Sequence, residues 1–170
     1  SKVSVLADGQ QANVRTEWVT GHEFANPHSI TLHEKSQLLV VADREHHALK
    51  LLQSSDGTIL GEWKCAGLDF SIAVPFGVRT LKRGSQDLLF VSSMDNPQDG
   101  RNQRIHVIDA SSLSAEQGVQ SPCSVLQEIA INPHEFSGPH LLGVDHESGD
   151  LYAALVAAAP HSAVLKFTPI

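Results

Sequence analysis

The sequence predicts an all-β fold, a β-propeller to which the chain contributes about three blades. Three observations carry this. One pattern of short strands recurs along the chain, no segment sustains a helical period over three turns, and the strand-like stretches are bounded by Gly, Asp, Ser or Pro.

The elements follow in order. Ser1-Lys2-Val3-Ser4-Val5 opens in mid-strand, so residues 1–20 read as the end of a preceding blade. The first full copy, 21–65, has an inner strand around Pro27-His28-Ser29-Ile30. Strands at 37–43 and 48–51 and a Ser54-Ser55-Asp56-Gly57 turn complete it. A weaker copy, 66–125, places strands at 74–81, 87–92 and 104–109, with one short helical turn expected in the loop 111–118. The third, 126–170, places them at 136–145, 149–154 and 163–167. Each copy describes a three- or four-stranded blade, and such blades pack radially, usually about four to eight to a ring. Three alone would leave a blade face and strand edges bare. Upstream chain, or a second polypeptide, is therefore expected to complete the ring.

Composition narrows the function. Hydrophobic residues make up 41% and charged residues 18%, as in globular chains. The net charge is −7, and the 12 basic residues are scattered, with Lys82-Arg83 the densest pair, which argues against nucleic acid. No stretch approaches the length of about 18 apolar residues that a membrane span needs. Triad, P-loop and dinucleotide patterns are absent, and Cys65 and Cys123 lack CxxC partners. Those two cysteines are either a disulfide or two buried thiols, and spacing does not decide between them.

The 10 histidines turn attention to metals. The first residue of an inner strand lies near the propeller axis, and that position holds His28, Phe76 and His140 in successive copies. In a six-bladed ring, alternate blades stand a third of a turn apart. A third histidine outside this chain, two blades upstream, would complete a tripod with an open fourth position, as in catalytic zinc sites. Imidazole also suits copper, iron or nickel. His22, His33, His46, His47, His106, His134, His146 and His161 fall in turns or at strand ends and are expected to face solvent. Arg44 ends the strand paired with the His28 strand. From there it either reaches the same mouth to hold a carboxylate or pairs with Asp43 or Glu45 on the rim. Asp43 is expected to cap its own turn through backbone hydrogen bonds.

Pro27-His28-Ser29-Ile30 followed by Val41-Ala42-Asp43-Arg44-Glu45 resembles the NHL repeats of the peptidyl-α-hydroxyglycine α-amidating lyases. Gly61-Glu62-Trp63-Lys64-Cys65, Pro122-Cys123-Ser124-Val125 and Pro139-His140-Leu141-Leu142-Gly143-Val144-Asp145 look closer to the NHL-repeat-containing protein 3 group, relatives of those lyases. The resemblance covers nearly the whole chain, as the carboxy-terminal half of a six-bladed NHL-type propeller. It implies that His28 and His140 match two of three zinc-ligand histidines and that Arg44 matches an active-site arginine. It also implies a secreted protein, or one in the lumen of a secretory or lysosomal compartment, where Cys65 and Cys123 would oxidise. The chain departs from the lyases in three places. Leu141 stands where they carry a calcium-binding aspartate, so calcium is not expected. Their catalytic tyrosine lies upstream of the His28 blade, and Tyr152, the only tyrosine, is on a different strand. Val40 and Leu51 lie near the places of a cysteine pair found in the lyases.

Three functions compete. The favoured one is a lumenal or extracellular propeller with an axial zinc-type site, used for binding or structure. The second is a zinc-dependent carbon–nitrogen lyase of the peptide-amidating type, with Arg44 holding the substrate carboxylate. The third is a metal-free scaffold whose loops grip a peptide or protein.

Overall fold

The computed structural model describes residues 23–70, 73–95, 103–131, 138–155 and 163–168. The segment 1–20 and the histidines His22, His134 and His161 lie outside them. The described residues form eleven strands in three antiparallel sheets. The first sheet runs β1 (Pro27–His33), β2 (Leu38–Asp43), β3 (Ala48–Gln53) and β4 (Ile59–Glu62). The second runs β5 (Ala73–Arg83), β6 (Gln86–Asp95), β7 (Arg104–Asp109) and β8 (Ser124–Ala130). The third has β9 (Pro139–Val144), β10 (Leu151–Leu155) and β11 (Val164–Phe167). In each sheet, neighbours in sequence are neighbours in space. Strand β8 spans the border expected between residues 125 and 126. The helical turn expected at 111–118 falls slightly later, as a 3-10 turn at Gly118–Gln120.

The middle of the second sheet, in β6 and β7, is buried on both faces, which its sequence records. Along β6, Leu89 and Val91 point into the core shared with the first sheet, and Leu88 and Phe90 into the core shared with the third. Successive side chains on a strand point to opposite faces, so a strand covered on both sides reads as an unbroken apolar run. The first core meets Val78, Leu89, Val91 and Ile108 with Leu38, Val40, Leu49 and Leu51, and Trp63 and Leu113 add to it. Trp63 Nε1 donates to the Ser121 carbonyl at 2.9 Å, so the indole is buried without an orphaned N–H. The second core sets Leu81, Phe90, Ile105 and Val107 against Leu142, Leu151, Ala153 and Leu155. A disulfide, Cys65–Cys123, joins the chain just after β4 to the chain just before β8, so it straps the first sheet to the second. No helix among the described residues is long and apolar enough to cross a membrane.

Candidate functional site

The inner strands β1, β5 and β9 lie side by side, and their starting ends converge. The His28 and His140 ring centroids are 4.6 Å apart and nearly perpendicular. Phe76 closes the triangle, 5.0 Å from His28 and 5.2 Å from His140. His28 Nδ1 lies 2.9 Å from the Phe76 carbonyl oxygen. A carbonyl only accepts, so Nδ1 carries the proton and the Nε2 lone pair is left for another partner. Burial pushes the His140 imidazole below its ordinary pKa, and the neighbouring His28 and Arg44 push it the same way. His140 therefore stays neutral at neutral pH, as a metal ligand must be.

Gly77 permits this approach. A Cβ there would stand 2.8 Å from Ser92 Oγ and 3.2 Å from both the His140 carbonyl oxygen and Leu142 Cγ. Ser92 Oγ instead accepts a hydrogen bond from the Gly77 amide at 2.8 Å. The irregular register of β5 against β6 between Pro75 and Val78 sits at the same place.

Arg44 reaches the cluster. Its guanidinium carbon is 4.9 Å from the Phe76 ring centroid, and its Nε is 3.3 Å from Glu45 Oε1. Arg44 thus lies over the Phe76 ring and pairs with Glu45 at once. Asp43 differs from expectation. It makes no cap to its own 3-10 turn, Arg44–His46. Its fully buried Oδ1 accepts from the amides of Ala25 and Asn26, at 3.1 and 2.9 Å, pinning the chain that leads into β1. Oδ2 lies 2.9 Å from Lys50 Nζ and 2.6 Å from His46 Nδ1. Burial opposes ionisation of Asp43, yet the Asn26 amide, Lys50 and His46 together hold its carboxyl below the usual carboxylate range.

Two histidines expected in solvent are buried, His33 and His106. His33 ends β1, opposite His28, with Nδ1 2.7 Å from Ser36 Oγ and Nε2 3.9 Å from Asp87 Oδ2. It lines a cavity of about 310 Å³ with Lys35, Lys82, Asp87 and His146. His106 Nε2 shares a hydrogen bond with Ser93 Oγ at 2.8 Å, and its Nδ1 is 3.2 Å from Glu128 Oε1. The order serine, histidine, carboxylate matches a hydrolytic triad across β6, β7 and β8. Ser93 has no exposed surface, however, so the row gives no substrate a path to the hydroxyl and serves the packing. No local signal in the sequence marks either one, since each is buried beside residues distant in sequence, Asp87 for His33 and Phe70 for His106. His46, His47 and His146 are exposed, as expected.

No family model matches the chain, and no curated protein matches it. Among solved structures, Kuenenia stuttgartiensis hydrazine synthase is similar over 92% of this chain and 49% of that one, at 12% identity and a TM-score of 0.44. The chain thus spans about half the length of that protein's chain.

Among the described residues, no group of three or more His, Cys, Asp or Glu side chains is gathered to hold a metal ion. The His28–His140 pair supplies two imidazoles, one with its Nδ1 proton fixed by a carbonyl and one kept neutral. Imidazole nitrogen is a donor that a zinc-type ion takes.

Proposed function

We propose that the chain is part of a six-bladed, NHL-type β-propeller whose axial mouth holds a zinc-type ion between His28 and His140. In this reading it is a secreted or lumenal protein in which the site serves binding or structure. One observation carries it, the 4.6 Å approach of two imidazoles from sheets that are not adjacent. Sheets packed face to face lie about 10 Å apart, so flat stacking would put the first and third about 20 Å apart. Two side chains reaching inward do not span that gap. Sheets splayed about an axis and converging at their inner strands do bring the rings together. The disulfide suits an oxidising compartment. His28 and His140 would hold the ion, which would supply Lewis acidity at the mouth.

Metal analysis of the purified chain, followed by zinc titration against a chromogenic chelator, tests this. Zinc is expected to bind, and His28→Ala or His140→Ala to weaken it at least about tenfold. Unchanged affinity in both variants would remove the axial site.

A second reading, a carbon–nitrogen lyase, is favoured by the Arg44 guanidinium beside the two imidazoles, where it would orient a substrate carboxylate. Release of glyoxylate from an α-hydroxyglycine peptide, lost in Arg44→Ala, is its test. No release from zinc-loaded protein would dismiss it.

A further inference from the structure

At the ends of β1 and β5 remote from His28 lies the cavity of about 310 Å³, and every residue that lines it is among the described ones. His33 ends β1, Lys82 is near the end of β5, and Asp87 pairs with Lys82 at the start of β6. Although they face each other across the sheet, Lys82 and Asp87 form no ion pair, and Lys82 forms none with any other of the described residues. One buried group at this cavity is unsatisfied. The Ser36 amide donates to His33 Nδ1 at 3.4 Å, and the Ser36 hydroxyl lies 2.7 Å from the same nitrogen. An amide only donates, so Nδ1 accepts and Nε2 carries hydrogen. That Nε2–H is buried and has no hydrogen-bond partner. Asp87 Oδ2 is 3.9 Å from it, and also 3.9 Å from the Lys35 ammonium. Neither is a hydrogen-bond distance. Lys35 Nζ donates to the Ser111 carbonyl at 2.7 Å, which leaves it two further protons.

We propose that this cavity binds an acidic sugar, with one hydroxyl in the gap between His33, Lys35 and Asp87 and the carboxylate facing Lys82. A hydroxyl both accepts and donates, so one oxygen answers the imidazole N–H and the Asp87 carboxylate together. A water molecule does the same in the gap, but it takes up only about 30 Å³ and leaves Lys82 without an anion. The cavity stands at the small end of the size range of ligand pockets, with room for one monosaccharide. A plain anion does not suit the gap, since it brings acceptors alone beside the Asp87 carboxylate. A metal ion does not suit it either, because hydrogen occupies His33 Nε2. Of the remaining charged side chains of the lining, Glu34 is exposed to solvent, and Lys82 is the cation free to take a carboxylate. Lys35, with 62% of its side chain exposed, is free to move aside as the sugar enters.

The test is a titration of the full chain, kept free of metal, with methyl β-glucuronide, methyl β-glucoside and acetate, read on the His33 Nε2–H resonance. The glucuronide is expected to move that resonance downfield and slow its exchange with water. It is expected to half-saturate about threefold lower than the glucoside, the worth of one exposed ion pair. Acetate is expected to leave the resonance in place. Lys82→Gln is expected to equalise the two sugars, and Asp87→Asn to weaken both about tenfold. The proposal is overturned if neither sugar moves the resonance, since water alone then fills the gap. It is also overturned if acetate matches the glucuronide, if the two sugars act alike on the unmodified chain, or if Lys82→Gln leaves their ratio unchanged. The axial zinc site plays no part in this readout.

Discussion

The hydrogen bond from His28 Nδ1 to the Phe76 carbonyl oxygen joins two sheets and fixes which imidazole nitrogen is protonated. Because the acceptor is main chain, it persists whatever side chain occupies position 76. Nitrogen NMR of the metal-free protein is expected to show His28 with its proton on Nδ1, and to show the same in Phe76→Leu. A spectrum with the proton on Nε2 would contradict the orientation that the proposed zinc site requires.

Gly77 sits where β5 meets the His140 backbone. Gly77→Ala is expected to cost about 1–3 kcal/mol by overpacking, with His140 displaced. Denaturant melts measure the first and the His140 ring resonances the second. A variant as stable as the parent, with unmoved resonances, would show that the sheets have slack here.

Asp43, itself fully buried, ties Lys50, His46 and two backbone amides in one knot. Asp43→Ala leaves the Lys50 ammonium without its carboxylate and is expected to cost about 3–5 kcal/mol. The folded carboxyl is held below its usual range, so this stability is present above pH about 4 and is lost as acid protonates the folded group. Equal acid sensitivity in the parent and Asp43→Asn would argue against the knot.

His33, His106 and His140 are all pushed below their ordinary pKa, with burial the largest cause in each. As pH falls below about 6.5, the unfolded chain takes up these protons before the folded chain does. Stability is therefore expected to be full above that pH and to decline on acidification, until the folded imidazoles protonate as well. Thermal midpoints taken at about pH 7.5 and about pH 5.5 check the sign. A midpoint that rises in acid would refute it.

Cys65 and Cys123 are 58 residues apart in sequence. Closing a loop of that size removes roughly 4 kcal/mol of unfolded-state entropy. Denaturant melts of Cys65→Ala/Cys123→Ala are expected to show a loss of that order. An unchanged midpoint would mean that the strap adds nothing.

The strands were legible because period-2 alternation and turn residues are local signals. The shared phase of His28, Phe76 and His140 was legible for the same reason, since it is an offset from a repeat. Burial of His33 and His106 was not legible, because it depends on which sheet covers a given face, and the residues that do so are distant in sequence. The role of Asp43 is hidden from the sequence for a related reason. Its partners are the amides of Ala25 and Asn26, which lie far upstream in sequence and reach it only through the pairing of β1 with β2. The serine–histidine–carboxylate row across β6, β7 and β8 leaves no motif in the chain, because three strands contribute one residue each.

The covalent strap spans one of the two cores only. The first and second sheets are cross-linked through Cys65–Cys123, whereas the third is held to the second, among the described residues, by apolar packing. Along the chain from Phe167 towards the amino terminus, no covalent link is met before Cys123, so β11, β10, β9 and β8 all lie outside the bridge. Local opening between the first and second sheets thus has a covalent limit that opening between the second and third lacks among the described residues.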